Sequence, residues 1–346
     1  MRRLGVSAAL VVAARAASAG SAQAAQLLLR RGAVLLTAAV AAFAFAGAAN
    51  AAQLIDRNAS HVKLSINTKS EALLTYSKAG KVKHVLVWGA INAAPPVKGQ
   101  HQVKFNVDYA GGWGKYHKTY WQGFKGSCGK YDGPAIPNLV VACKAFDGSY
   151  WAVQQWPQPL PDLGFAPWTP ELRAQWMEVS HWSGDLAQLE VHMGWVYSGF
   201  QQLFGRFTYQ GQPVFGFGTT SVGAPTDNFG RLIYLDTFGS VYGAGWRREN
   251  SFVPHNPTGS FCYGFYSFDP TKGGYKHPAG QTAKRGPGIG SQYRLTASGP
   301  GVTPNISVTI PSIGAYDSSK QPERQASDAL LRSYGDKSCL AGLSSR

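Results

Sequence analysis

Acidic residues are scarce in this chain. Eighteen aspartates and glutamates face 33 lysines and arginines, and charged residues make up 15% of the sequence, against about a quarter in an average globular protein. Several signatures are missing altogether. There is no phosphate-binding glycine loop, dinucleotide fingerprint, G-x-S-x-G elbow, H-E-x-x-H helix or EF-hand loop, which removes the motif-based readings of nucleotide, serine-hydrolase, zinc-protease and calcium chemistry. The four cysteines, Cys128, Cys143, Cys262 and Cys339, include no C-x-x-C, and no histidine pair stands at ligand spacing, so no metal site and no cofactor is expected. No segment repeats at a fixed period, which leaves a propeller or solenoid unsupported.

What is present points to strands. Hydrophobic residues at 44% allow a real core, while 41 glycines, 20 prolines and 12% aromatics suit many short strands joined by tight turns. A helical bundle does not fit that composition. The expected fold is all-β, a β-sandwich or jelly-roll-like architecture, as one large or two abutting antiparallel β subdomains with one short C-terminal helix.

The first fifty residues read as an export signal. Five arginines and no acid precede "GAVLLTAAVAAFAFAGAANA" (32–51), an apolar stretch ending in the small-x-small pattern Ala49-Asn50-Ala51. Cleavage after Ala51 and a secreted or cell-surface protein are expected. The alternative is an uncleaved N-terminal helix serving as an anchor, since the run nearly spans a bilayer. Apart from this signal, no membrane contact is expected. In an oxidising compartment the cysteines read as two disulfides, and the most local pairing is Cys128–Cys143 with Cys262–Cys339.

Beyond residue 51, 28 basic residues stand against 18 acidic ones. Residues 57–130 hold twelve of these bases and only Glu71 and Asp108 as acids. Such lysines either solvate a face and guard strand edges or attract a polyanion such as an anionic wall polymer or acidic polysaccharide. Lysine in place of arginine suggests diffuse attraction, with no specific nucleic-acid recognition.

The pattern divides residues 52–156, a basic N-terminal β subdomain, from 171–312, a second β subdomain. A Pro-rich connection, 157–170, joins them, and a tail with a short helix occupies 313–346. Alternation at Val62, Leu64 and Ile66, then 73–76 and 84–88, makes a meander. Asp147-Gly148 marks a hairpin turn. Later strands are expected at 173–182, 187–197, 201–209, 212–218, 231–237, 260–268, 291–298 and 305–310, with a helix over 322–335. "KGGYKHPAGQTAKRGPGIG" (272–290) reads as a Gly/Lys loop. Asn58-Ala59-Ser60 and Asn305-Ile306-Ser307 fit the glycosylation pattern.

"MEVSHWSGDLAQLEVHM" (177–193) reads as a hairpin. A three-residue loop, Ser183-Gly184-Asp185, unites Met177 and Val179 with Leu189 and Val191 on one buried face. That register sets Glu178 opposite Glu190, with Cβ atoms about 5 Å apart, and Trp176 opposite His192. Two carboxylates at about 5 Å match a retaining glycosidase, and Trp176 and Trp182 would stack a sugar ring. Arg247 and Arg248, in a loop between strands, are candidates to clamp a carboxylate or phosphate. Trp113 and Trp121 stand among lysines and glycines as exposed platforms, with Tyr116, Tyr120, Trp151 and Trp156 nearby. Three functions remain open: non-catalytic binding of a wall or extracellular glycan, which leads; a glycan-active hydrolase using Glu178 and Glu190; and a purely structural envelope or adhesion protein.

Overall fold

The computed structural model describes residues 52–95, 102–124, 128–157, 174–196, 200–214, 233–240, 243–250, 258–265, 289–314 and 319–336. It also describes the short pieces 169–170, 218–219 and 225–226 and the single residues 253, 317 and 339. The expected export signal, the interior of the Pro-rich connection (158–168) and most of the Gly/Lys loop (272–288) lie outside the described residues.

The described residues are mostly antiparallel β, as the composition leads one to expect. β1 (Gln53–Arg57) precedes the expected meander, β2 (Ser60–Ile66), β3 (Ala72–Lys78), β4 (Lys81–Trp88) and β5 (Asn106–Asp108), which pair in that order. A short helix, α1 (Trp113–Tyr116), and a 3-10 turn (Tyr120–Gly123) lead to a hairpin of β6 (Leu139–Lys144) and β7 (Tyr150–Pro157). Next come β8 (Thr169–Pro170), β9 (Gln175–Trp182), β10 (Gln188–Val196), β11 (Phe200–Tyr209), β12 (Gln212–Pro213) and the ribbon β13 (Gly218–Thr219) with β14 (Pro225–Thr226). The last strands are β15 (Ile233–Ser240), β16 (Gly243–Asn250), β17 (Ser260–Phe265), β18 (Gln292–Ala297) and β19 (Ile306–Pro311), followed by α2 (Gln321–Ser333).

Beside the meander, three further sheets form. Their orders are β1-β9-β7-β6, then β19-β18-β15-β16-β8, then β10-β11-β12 with β17 also on β11. Strand alternation supplies two cores. Leu64, Ile66, Leu74, Val85 and Val87 of the meander pack on Trp151, Val153, Met177 and Val179 of β7 and β9. Leu203, Phe207 and Phe261 of β11 and β17 pack on Ile233, Leu235, Tyr293 and Leu295 of β15 and β18. Each such burial contributes about 1.5–3 kcal/mol. The opposite faces of β7 and β9 carry Gln154, Trp156, Trp176 and Glu178, and those of β15 and β18 carry Tyr234, Asp236, Arg294 and Thr296. These polar faces meet through Gln154 and Asn305, whose side-chain and backbone groups exchange bonds of 3.0 Å.

The expected hairpin over 177–193 does not form. A strand has two edges, and both edges of β9 are taken: Glu178 stands opposite Leu54 of β1 and Gln154 of β7. β10 pairs instead with β11, placing Glu190 opposite Arg206. Ser183-Gly184-Asp185 therefore carries the chain from one sheet to another. Arg247 and Arg248 were expected in a loop but lie on β16, where they face Thr237 and Asp236 of β15.

Both disulfides form in the expected pairing, Cys128–Cys143 and Cys262–Cys339. The second ties the tail to β17 beside Phe204, Leu331 and Tyr334, where α2 packs. Paired cysteines fit an oxidising, extracellular environment. No helix among the described residues is long and apolar enough to cross a membrane.

Candidate ligand pocket between two polar sheet faces

Where the polar faces of β7–β9 and β15–β16–β18 meet, they enclose a pocket of about 270 Å³. That is near the lower end of small-molecule sites. Its walls include Trp156 and Trp176, which are cross-strand partners, with Tyr234 opposite. Asn138 is exposed at the rim, and Gln155, Pro157 and Gln175 are half-buried there.

Four charged or chargeable side chains line it: Glu178, Asp236, Arg248 and Arg294. Asp236 is 1% exposed and accepts from both arginines. Arg248 donates from Nε to Oδ1 and from Nη2 to Oδ2, the latter at 3.2 Å, and Arg294 donates from Nη2 to Oδ2 at 3.0 Å. Both oxygens of this buried carboxyl are thus matched by guanidinium donors. Arg248 also lies over the Tyr234 ring at 4.9 Å, which fixes its plane.

Among the described residues, Glu178 has Asn305 and no cation as its side-chain partner. Burial pushes its carboxyl up to about 8, against the lowering effect of the hydrogen bond that Asn305 Nδ2 donates to Oε2. Burial therefore favours the protonated carboxylic acid over the carboxylate. Burial also pushes the Tyr234 phenol up, and Glu178 adds to that rise. Asn305, a glycosylation candidate by sequence, is buried at 7% exposure and held by Gln154 and Glu178. It is not presented to solvent.

Three donors on the lining residues have no partner: Trp156 Nε1, Trp176 Nε1 and Arg248 Nη1. Trp156 and Arg248 are each only 8% exposed. Buried donors without acceptors cost about 1–3 kcal/mol each. No unpartnered buried acceptor stands among the described lining residues.

Of the candidate site residues and aromatics singled out from the sequence, the pocket unites Glu178, Trp176, Arg248 and Trp156, the last buried rather than exposed as expected. The others lie elsewhere. Glu190 and His192 sit on β10, where His192 Nε2 meets Glu190 Oε1 at 2.7 Å and Tyr334 donates to the same oxygen at 3.0 Å. Trp182 cannot stack on a ligand: it is fully buried beneath Tyr131 and Tyr150. Trp151, expected among the exposed aromatics, is fully buried and stacks on His181. Trp113 is 54% exposed as expected, whereas Trp121 lies flat on His84 at 4.1 Å. Arg247, half-buried, alternates to the other face of β16. Near Trp113, Glu71 anchors the aromatic loop by accepting from Lys115, Tyr116 and Tyr120 at 2.7, 2.5 and 2.8 Å.

Sequence reasoning missed Asp236, Arg294, Tyr234 and Asn305. A weak signal was present, since Tyr234 and Asp236 alternate with Ile233 and Leu235, and Arg294 with Tyr293 and Leu295. The same alternation marks any half-wet strand, so only the second polar face covering it distinguishes the site.

The arrangement is a pocket with aromatic walls, a buried carboxyl of raised pKa and a second carboxyl held by two guanidinium groups. Comparison with known protein families, with curated proteins and with solved structures finds no match to this chain. The functional reading therefore comes from the geometry.

Proposed function

We propose that the protein is an exported glycan-binding protein that takes a sugar residue into the pocket between β7–β9 and β15–β18. The observation that carries this reading is the pocket itself, in which Trp156, Trp176 and Tyr234 stand beside the amide side chains of Asn138 and Gln175. Sugar rings offer C–H faces to aromatic rings and oxygens to N–H donors, so both halves of the lining suit one ligand. The exposed lysines of the meander, such as Lys63, Lys81 and Lys83, would add nonspecific attraction to a wall polymer or acidic polysaccharide. The paired cysteines are consistent with work outside the cell.

A second reading retains chemistry at Glu178. Glu178, whose pKa burial raises, and Asp236 line one pocket, and a glycoside hydrolase works with two such carboxyl groups. Against it, Asp236 already accepts from two guanidinium groups, which weakens it as nucleophile or base. The earlier pairing of Glu178 with Glu190 has no support, because the two lie in different sheets.

One assay separates these readings. Purified protein is pelleted with a panel of insoluble polysaccharides, and reducing ends are measured in the same tubes. Salt-resistant pelleting that Trp156→Ala/Trp176→Ala weakens at least tenfold, without sugar release, is the expected result. Release abolished by Glu178→Gln would replace binding with hydrolysis. Absence of both signals across the panel overturns the proposal.

A further inference from the structure

The glycan-binding reading leaves the kind of sugar open, and the polar lining of the pocket narrows it. We infer that the pocket selects an uncharged sugar residue, whose hydroxyl groups are read by the side chains of Asn138, Gln175 and Ser298. This inference rests on the glycan-binding reading above.

The charged groups of the described lining are engaged within the protein. Asp236 accepts from Arg248 and Arg294 through both of its oxygens. Arg248 also lies over the Tyr234 ring, and Arg294 over the Trp246 ring at 4.5 Å. Glu178 accepts from Asn305. An anionic sugar would therefore leave water without gaining a cation of its own, which opposes its entry. An uncharged residue meets no such penalty.

The neutral polar groups fall into two sets. Gln155 Nε2 donates to the Ala59 carbonyl at 2.8 Å, and Thr296 Oγ1 meets Ser307 Oγ at 3.1 Å. Asn138, Gln175 and Ser298 line the pocket and make no side-chain hydrogen bond among the described residues. Asn138 is exposed and the other two are half-buried, so a ligand entering the pocket reaches all three. An amide or a hydroxyl group both donates and accepts, as a sugar hydroxyl does, whereas an ionised carboxylate only accepts. Backbone bonds fix where the amides stand. The Asn138 carbonyl accepts from Gln155 N at 3.0 Å on the β6 side of β7. On the β9 side, Gln175 pairs with Pro157 and exchanges two bonds of 2.8 Å with Asn58. The two amides thus flank the cross-strand pair Trp156 and Trp176, and Ser298, just past β18, stands on the opposite wall. A sugar ring packed on an indole keeps its hydroxyl groups at its edge, where such flanking groups meet them.

The test measures binding of matched oligosaccharide pairs by calorimetry: uronates of galactose, glucose and mannose beside their carboxyl-reduced, uncharged forms. Salt at about 0.5 M screens the diffuse pull of the surface lysines on the uronates. In at least one pair the uncharged form is expected to bind about tenfold or more tightly than its uronate. Asn138→Ala and Gln175→Ala should each weaken that binding about 3- to 10-fold. Asn138→Asp, which keeps an acceptor and loses the donor, should weaken it likewise and serves where the alanine variant fails to fold. Uronates binding as tightly as their reduced forms overturn the inference while leaving glycan binding intact. Affinity unchanged in both amide variants overturns the assignment of the reading groups. Binding that Trp156→Ala/Trp176→Ala leaves unchanged puts the sugar outside the pocket and overturns the glycan reading there, and no binding in any pair overturns both.

Discussion

Replacing Glu178 by glutamine reads the buried carboxyl directly. The side chain is 5% exposed, and burial holds its proton to about pH 8, against the usual 4.5. A folded state that binds a proton more tightly than the unfolded chain loses stability as pH rises between the two values. At about 1.4 kcal/mol per pH unit, the wild type would lose about 5 kcal/mol from this group between pH 4.5 and 8, and none beyond. His181 acts in the opposite direction. Burial pushes its imidazole down to about 4, against the raising influence of the Ala90 carbonyl and Asp147. Its contribution is therefore present above pH 6.5 and lost as pH falls toward 4. The two slopes oppose each other from pH 4.5 to 6.5, so the wild type should be nearly flat there and fall between pH 6.5 and 8. Glu178→Gln retains an oxygen to accept from Asn305 and has no proton to release. The variant should gain stability from pH 4.5 to 6.5, then level off, and exceed the wild type by several kcal/mol at pH 8. Urea unfolding at half-unit pH steps, followed by tryptophan fluorescence, measures both curves. Parallel curves for the two proteins between pH 5 and 8 would refute the reasoning.

Three further perturbations follow from the same structure. Asp236→Asn removes the charge that faces buried Arg248 and half-buried Arg294 and should cost about 3–5 kcal/mol, partly recovered by adding Arg248→Met; urea midpoints for the single and double variants test the coupling. Removing the Cys262–Cys339 bridge opens a loop spanning 77 residues and should cost about 4.5 kcal/mol on chain entropy, against about 3 for the 15-residue Cys128–Cys143 loop; thermal unfolding of the two double-serine variants ranks them. Gly205→Ala would drive a Cβ into the Glu190 carbonyl across the β10–β11 ladder. It should split that pairing, cost more than 3 kcal/mol and raise amide exchange along β10, and wild-type exchange in the variant would contradict the close approach.

The amino-acid sequence by itself determined what depends on short-range chemistry. Alternation at 60–88 makes the meander, Asp147-Gly148 closes a hairpin, and the amphipathic segment ending near Tyr334 makes α2. The cysteine pairing was legible because local loops close at least entropic cost. The faces of β9 were legible too, since Trp176 and Glu178 share one and Met177 and Val179 the other, whatever their partners are. Partner choice was not legible. Alternation says which face of a strand is dry, but every strand has two edges, and nothing in residues 177–193 reveals that β1 and β7 occupy both edges of β9. Only tertiary structure decided that Glu178 faces Asn305, Tyr234 and Arg248, far along the chain, and that Glu190 does not come near. Burial is a property of what covers a face, and the polar alternation of Tyr234, Asp236 and Arg294 would read identically against solvent. The pocket exists because two wet-looking faces were folded against each other.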